Sequence, residues 1–209
     1  RGPAIVISNH AAWLDPIWLG KVAPPILTPL MTSQFFDKPV LRWIMKGMNA
    51  AIRVEDSGKL RRDIPELDAA IELLDRGGTV LIFPEGHMRR KEELVLRRFG
   101  QGIWRILCKR PQTPVFVCWI DGGWGSYFSY CHGKPTKNKR MDWWRSIDIG
   151  VSEPLLLSAE TLADANETRQ MLMQACLEAR RWLGREPFSL NAVETAEPAE
   201  AVEGVAEEL

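Results

Sequence analysis

Hydrophobic and polar positions along the chain fall into short blocks that predict alternating strands and helices. Continuous apolar runs predict buried strands at residues 4–8, 79–83 and 115–120, and weaker runs predict three more at 26–31, 51–55 and 147–151. Apolar residues at helical spacing predict helices at 15–22, in parts of 35–48, and at 63–76, 102–109 and 161–183. This order predicts an α/β fold, with one mixed, mostly parallel central sheet flanked by helices.

The C-terminal part of the chain changes in character. Residues 161–183 form a long amphipathic pattern with one apolar side, made of Met171, Leu172, Ala175, Cys176, Ala179 and Trp182. Residues 190–209 carry six glutamates and neither lysine nor arginine. We therefore expect one domain over 1–188 and an acidic, disordered tail over 189–209. The chain begins with Arg1 instead of Met, which leaves open that it is a piece of a longer protein.

Composition excludes some classes of protein and leaves others open. The longest apolar runs are shorter than the roughly 18 residues that a membrane-spanning helix needs. The four cysteines include no CxxC pair, which predicts reduced, partly buried thiols and no zinc site. Without the six tail glutamates, 27 basic residues face 21 acidic ones. Such a basic body suits phosphate-bearing ligands or an anionic membrane, although an ordinary solvated surface explains the charge equally well.

Polar clusters follow two of the predicted strands. The segment Asn9-His10-Ala11-Ala12-Trp13-Leu14-Asp15 follows the first strand, and Pro84-Glu85-Gly86-His87 follows the strand that ends near Phe83. Ligands of open α/β sheets bind at the carboxyl ends of strands, so both loops are candidates for one active site.

His10 and Asp15 have the side chains of an acid–base pair. A neutral imidazole can accept a proton from an attacking alcohol, and a carboxylate on its other nitrogen fixes the tautomer. Five residues on an ideal helix would separate the two side chains by about 140°. They can therefore meet only if His10 precedes the helix that Asp15-Pro16 begins. The alternative is that Asp15 only caps this helix and His10 is an ordinary loop residue.

The second loop is suited to an anionic ligand. The Glu85 charge at the end of a buried strand is costly unless it is paired or solvated. Gly86 permits a positive φ or a close approach of the backbone to a ligand. Basic residues follow at 89–91 and 97–98, and arginine offers a planar fork of donors to phosphate. The alternative for this basic run is a solvated helix face.

Together the two loops resemble a known family. NHxxxxD, here from Asn9 to Asp15, precedes FPEG, here Phe83-Pro84-Glu85-Gly86, by about 70 residues. This pair of motifs resembles the glycerolipid acyltransferases of the lysophosphatidate type. A third block, the short strand that opens at Pro114-Val115, is also similar, and the resemblance spans about residues 3–155.

The resemblance implies a glycerol-3-phosphate acyltransferase-like fold and a fatty acyl transfer. The donor would be acyl-CoA or acyl-carrier protein, used as a co-substrate, and the acceptor a lysophospholipid hydroxyl. 1-Acyl-glycerol-3-phosphate is the expected acceptor, which would give phosphatidic acid. His10 would be the general base and Asp15 its orienting carboxylate. The residues expected to bind substrate are Asn9, Arg53, Phe83, Pro84, Glu85, Gly86, Arg89 and Arg90.

The sequence departs from the family pattern in two places. The family often continues FPEG with Thr-Arg, where this chain has His87-Met88, so Arg89 or Arg90 is expected to supply the charge. A family arginine between the two motifs corresponds best to Arg53, although another register places Asp56 there.

We expect no metal, no bound cofactor and no nucleic-acid partner. The lipid substrate implies a membrane surface, at its cytoplasmic face, reached peripherally or through segments outside this chain. Residues 122–145 interleave aromatic and basic residues, which suits a bilayer interface or the phosphates of the acyl donor. The same composition would also fit a segment that binds single-stranded nucleic acid, or one that simply packs onto the sheet. Trp13 and Trp18 could line an acyl channel or belong to the core.

Two rival functions remain open at this stage. The His10–Asp15 pair could activate water in a thioester or lipid hydrolase, although the chain has no G-x-S-x-G nucleophile motif. The domain could also bind lipid without catalysing a reaction, although intact His10, Asp15, Glu85 and Gly86 argue against this.

Overall fold

A computed structural model of the chain describes residues 2–22, 27–32, 52–54 and 65–194. The strands are β1 Ala4–Ser8, β2 Leu27–Thr32, β3 Ile52–Val54, β4 Thr79–Ile82, β5 Leu96–Arg97, β6 Val115–Asp121, β7 Asp148–Val151 and β8 Val193–Glu194. The helices are α1 Asp15–Val22, α2 Pro65–Asp75, α3 Gly102–Lys109, α4 Ala159–Ala163 and α5 Ala165–Glu178. Two 3₁₀ helices follow, Ala179–Leu183 and Leu190–Ala192.

Six of the described strands form one sheet in the order β3-β2-β4-β1-β6-β7. The pairs are parallel except β6 with β7, which is antiparallel. This arrangement confirms the predicted mixed, mostly parallel α/β sheet. β1 lies between β4 and β6, with Ile5 opposite both Val80 and Val115. The carboxyl ends of β1, β4 and β6 therefore meet at one edge, where the polar loops begin.

The two faces of the sheet carry two buried clusters, because alternate side chains of a strand point to opposite sides. Ile5 and Ile7 of β1 belong to the larger cluster, together with apolar residues of α2, α3 and α5. Val6 points the other way and belongs to a smaller cluster with Leu19 of α1. Trp18 packs against the smaller cluster, so the structure places it with the core. The strand and helix on either side of the first loop are thereby anchored in the core.

Apart from the helix predicted over 161–183, the predicted elements are present with small shifts wherever the structure describes the chain. β2 extends to Thr32, one residue beyond the prediction, β4 ends at Ile82 before the predicted Phe83, and β7 begins at Asp148. The partial helix predicted over 35–48 lies outside the described residues. All four cysteines are free thiols, three of them buried.

The helix predicted over 161–183 is instead three consecutive pieces. Asp164 has an extended backbone, with φ −119° and ψ 119°, and its side chain caps α5 by accepting from the N–H groups of Asn166 and Glu167. The last piece is a 3₁₀ helix, whose tighter turn rotates its side chains away from the helical pattern. The predicted apolar side is therefore wrong for Trp182, which lies in this 3₁₀ helix and is exposed. It is also wrong for Met171, an exposed residue of α5, whereas Leu172, Cys176 and Ala179 are buried as predicted.

Ordered structure continues past the predicted boundary at residue 188. β8 pairs in parallel with β5, with Val193 opposite Leu96, and both side chains are buried. The tail expected over 189–209 is therefore wrong for its first six residues, because the apolar Val193 outweighs the acidic composition around it. Residues 195–209 lie outside the described part. The alternative of a solvated helix for the basic run is also wrong, since that segment is irregular and includes β5.

Candidate active site

His10 and Asp15 meet in the tight turn between β1 and α1. The Nδ1 atom of His10 lies 2.8 Å from Oδ2 of Asp15. The same oxygen accepts from the backbone N–H groups of Ala11, at 2.7 Å, and Ala12, at 2.9 Å. Asp15 is the first residue of α1, yet its carboxylate reaches back into the turn instead of capping its own helix. The structure thus gives the geometry that the five-residue spacing requires.

The imidazole ring is fixed on one nitrogen and on one face. Asp15 is fully buried, whereas 19% of the His10 side chain is exposed. Phe83, the first residue after β4, stacks on the ring with centroids 4.2 Å apart and planes at 21°. Since Nδ1 is bound to Asp15, Nε2 is the nitrogen left for proton exchange with a substrate. This is the arrangement that a general base needs.

The buried carboxyl group of Glu85 connects the two loops. Oε1 accepts from the backbone N–H of His10 at 2.7 Å, and Oε2 accepts from the backbone N–H of Arg97 at 2.7 Å. Burial raises the pKa of Glu85 to about 8, and these two hydrogen bonds offset only part of that shift. The structure therefore shows Glu85 holding the backbone of His10, whereas the sequence suggested a substrate contact.

Asn9 has a similar positioning role. Its Oδ1 accepts from the N–H of Ile120 at 2.7 Å, and its Nδ2 donates to the Ile120 carbonyl at 3.0 Å. This paired contact ties the loop after β1 to the end of β6. Because Asn9 is buried and both ends of its amide are engaged, its side chain fits this role better than the substrate contact predicted from the motif.

The remaining residues of the second motif shape its backbone. Gly86 has φ +73°, and a Cβ placed on it would meet nothing within 4 Å. The glycine is therefore required for its backbone conformation, while the space beside it is open to a ligand. The buried Pro84 accepts from the N–H of Gly100 at 2.7 Å through its carbonyl. The N–H of Arg89 donates to the His10 carbonyl at 2.8 Å, so the loop holds His10 on both sides of its Cα.

Arg89 and Arg90 differ in how far their side chains are engaged. Arg89 donates from Nε to the Lys91 carbonyl at 2.9 Å and from Nη2 to the Glu92 carbonyl, and its guanidinium lies 4.3 Å from the centre of the Trp124 ring. The Arg90 guanidinium stacks on Tyr130 at 4.5 Å, and the residue is exposed. Arg90 is therefore the better placed of the two to meet an anionic ligand.

The strand of Arg53 runs parallel to β1 and ends at the same carboxyl edge of the sheet, but three positions away from β1. Arg53 lies in β3, opposite Met31 of β2, and β2 and β4 separate β3 from β1. Its side chain and Asp56 are outside what the structure describes, so the choice between the two registers stays a prediction.

The segment after β6, whose role the sequence left open, closes one side of the site. Ser129 forms a bridge with Ala12, and the N–H of Trp13 donates to the Phe128 carbonyl at 3.1 Å. A Cβ on Gly123 would lie 3.4 Å from Oδ1 of Asp15, an atom that is buried without a hydrogen-bond partner. Motif spacing gave no signal for these contacts, because they depend on how a long loop folds back over the first turn.

Both motif loops and this third loop thus converge on one partly exposed imidazole, which defines an acid–base site at the carboxyl edge of the sheet. The family model described as Acyltransferase matches residues 1–121. This is more than half of the chain, which therefore belongs to the acyltransferase family. Among the described residues, no helix is both long and apolar enough to cross a membrane.

Two curated proteins are similar to parts of the chain. The 1-acyl-sn-glycerol-3-phosphate acyltransferase of Saccharomyces cerevisiae is 30% identical over 120 residues, which are 56% of this chain and 39% of that protein. The lyso-ornithine lipid O-acyltransferase of Pseudomonas aeruginosa is 33% identical over 94 residues, which are 45% of this chain and 34% of that protein. The matches thus cover well under half the length of either relative.

A solved structure has the same fold. The 1-acyl-sn-glycerophosphate (LPA) acyltransferase PlsC from Thermotoga maritima superposes with a TM-score of 0.62 at 19% identity. The match covers 90% of this chain and 69% of the other. It confirms the acyltransferase-like fold expected from the two sequence motifs.

Proposed function

We propose that this chain transfers a fatty acyl group from acyl-CoA or acyl-carrier protein to the free hydroxyl of a lysophospholipid. The proposed acceptor is 1-acyl-glycerol-3-phosphate, and the product is phosphatidic acid. The observation that carries the proposal is the 2.8 Å contact between His10 Nδ1 and Asp15 Oδ2, which leaves Nε2 as a base beside an open loop.

The acid–base pair suits the chemistry of alcohol attack on a thioester. Nε2 of His10 takes the proton of the acceptor hydroxyl as its oxygen forms a bond to the thioester carbonyl carbon. The buried Asp15 carboxylate stabilises the imidazolium that results. When the carbon–sulfur bond breaks, the leaving thiolate receives that proton, so ester and thiol are the products and the base is restored.

The proposed acceptor rests on similarity and on charge. The yeast relative is named for 1-acyl-sn-glycerol-3-phosphate, whereas the Pseudomonas relative is named for a lyso-ornithine lipid. The exposed Arg90 beside the second motif favours an acceptor that carries phosphate. We further propose that the chain works at the cytoplasmic face of a membrane, bound peripherally or through segments beyond this sequence, because a lysophospholipid resides there.

Product analysis by mass spectrometry tests the proposal. The purified chain is incubated with 1-acyl-glycerol-3-phosphate, lyso-ornithine lipid or monoacylglycerol, and with acyl-CoA or acyl-carrier protein as donor. Phosphatidic acid formed by the wild type and lost in His10→Ala is the expected result. Thioester cleavage with no acylated lipid would indicate a hydrolase instead. Lipid binding without turnover of any donor would indicate a binding domain, and either result contradicts the proposal.

A further inference from the structure

Two adjacent tryptophans occupy an exposed turn in the segment that leads into β7. Trp143 is 81% exposed and Trp144 is 96% exposed, whereas tryptophan side chains in folded proteins are usually well covered. The turn lies outside the acid–base site and is not used by the proposed chemistry. An exposed apolar pair of this size indicates a contact surface.

The residues around this pair are strongly basic. Residues 134–145, which we call the tryptophan loop, contain five lysines or arginines and one acidic residue, Asp142. Lys137 and Arg140 are both exposed. The loop therefore presents a positive charge next to two apolar rings.

The tryptophan loop is attached directly to the wall of the acid–base site. Arg145 donates to the carbonyls of Gly122, at 3.2 Å, and Gly125, at 3.1 Å. Gly122 has φ +87°, and a Cβ on it would lie 2.3 Å from the Ser146 carbonyl oxygen, so the two segments touch through their backbones. The next residue, Gly123, borders Asp15. Whatever binds the tryptophan loop is therefore held beside the site.

We propose that the tryptophan loop docks the protein on an anionic phospholipid bilayer, with Trp143 and Trp144 entering the headgroup layer. Tryptophan concentrates at this depth because its ring is apolar and its N–H is polar. Lysine and arginine near the surface are attracted to anionic lipids. A bilayer needs no matching pocket, which fits two rings on a protruding turn better than a folded partner does. The inference rests on the proposed function for the choice of a lipid partner.

Vesicle binding tests this surface without depending on turnover. The full chain is sedimented with phosphatidylcholine vesicles that contain or lack phosphatidylglycerol. Phospholipids brominated in the upper acyl chain report tryptophan insertion by quenching fluorescence. We expect binding that is stronger with phosphatidylglycerol, weakened by salt, and accompanied by quenching.

Two variants separate the apolar and ionic contributions. Trp143→Ala with Trp144→Ala should lower the vesicle partition coefficient at least about tenfold and remove most of the quenching. Lys137→Gln with Arg140→Gln should lower the partition coefficient about thirtyfold on anionic vesicles and leave that on neutral vesicles unchanged. Met171→Ala, an exposed apolar residue on α5, is the matched control and should bind like the wild type.

Activity measured in two lipid states distinguishes failure of the docking surface from failure of the proposed function. The tryptophan variant should keep wild-type turnover of a short-chain, monomeric 1-acyl-glycerol-3-phosphate and lose it for the same headgroup embedded in vesicles. Unchanged vesicle binding in both variants would overturn the docking surface. The docking surface would also be overturned if these variants lost affinity for acyl-carrier protein or single-stranded nucleic acid but not for vesicles. Absence of turnover with the monomeric acceptor in the wild type would overturn the proposed function alone.

Discussion

The carboxyl group of Glu85 accepts the backbone N–H of His10 at 2.7 Å, although 75 residues separate the two in sequence. Its other oxygen accepts the N–H of Arg97, so one side chain joins the loops that follow β1 and β4 to the last residue of β5. Removing the side chain would leave two backbone donors without acceptors, at about 1–3 kcal/mol for each that stays buried. In the proposed reaction, Glu85 would thus act through the position of His10.

The raised pKa of Glu85 predicts how stability changes with pH. The group ionises near its ordinary 4.5 in the unfolded chain, but burial delays ionisation to about 8 in the folded protein. Between these values the folded state binds more protons, so the free energy of unfolding should fall as pH rises, by at most about 1.4 kcal/mol per pH unit. Above about pH 8 this contribution is constant.

Denaturant unfolding of the wild type and of Glu85→Gln, measured from pH 5 to pH 9, checks this. Glutamine cannot ionise. The Glu85→Gln protein should be less stable than the wild type at pH 5, because the NH₂ group of glutamine faces one of the two backbone donors. We expect the stability advantage of the wild type to shrink towards pH 8 and then stop changing. A difference that is the same at every pH, or that grows as pH rises, would contradict the assigned pKa.

The sequence predicts contacts in this site well when the two residues are close along the chain, and poorly when they are far apart. His10 and Asp15 are close in sequence, and turn geometry alone limited how they could meet. β1 and β4 could be recognised from apolar runs, which brought the two motifs to one sheet edge. The pairing of Asn9 with Ile120 could not be predicted in the same way, because it depends on which strand lies beside β1.

The errors at the C-terminal end have a similar cause. Asp164 breaks the predicted long helix because its side chain caps a new one, a local preference that the apolar pattern of the segment does not reveal. The composition around Val193 predicts a tail, whereas the burial of Val193 depends on β5, nearly a hundred residues earlier. Composition averages over a segment and misses a single buried residue.

Substitutions in the acid–base pair should affect turnover much more than binding. His10→Ala should lower kcat about 10²–10⁴-fold. Asp15→Asn can still present an oxygen to the three N–H donors around Oδ2 and place its NH₂ at the unpartnered Oδ1. Its fold should therefore survive while the imidazolium loses its counter-charge, so kcat should fall about 10²–10⁴-fold with little change in KM. Steady-state kinetics check both, and a variant that kept most of its kcat would remove that residue from the mechanism.

Alanine variants of the two arginines after the second motif should differ in their effects on substrate binding and on stability. Arg90→Ala removes an exposed charge, and we expect the KM for 1-acyl-glycerol-3-phosphate to rise about tenfold or more with no change in melting temperature. Arg89→Ala removes hydrogen bonds to two carbonyls and the contact with Trp124, so it should also lower the melting temperature.

Monoacylglycerol, which has no phosphate, is the control acceptor for both arginine variants. Its KM should not respond to Arg90→Ala if Arg90 meets phosphate. Equal effects of Arg90→Ala on both acceptors, or an unchanged KM for both, would rule out this role for Arg90.

Two adjacent glycines that follow β6 should tolerate alanine very differently. Gly122→Ala places a Cβ 2.3 Å from the Ser146 carbonyl oxygen and forces φ +87° on a residue with a side chain, which should cost about 2 kcal/mol or more. Gly123→Ala makes only ordinary contacts of 3.4–3.5 Å and should leave the melting temperature nearly unchanged. Thermal unfolding of the pair tests whether the loop after β6 is packed as described, and equal stability of the two variants would show that it is not.

Truncation from the C-terminus tests where the folded part of the chain ends. Deleting 190–209 removes β8 and the buried Val193, which should cost about 1.5–3 kcal/mol and lower the melting temperature by about 4–10 °C. Deleting 195–209, a segment rich in glutamate and alanine, should have little effect, because it offers few large apolar side chains to a core. Val193→Ala in the full chain is the matched control and should reproduce part of the loss. Equal melting temperatures for both truncations would mean that the β5–β8 pair does not stabilise the fold. The pair could then not be what holds the Arg97 N–H against Glu85.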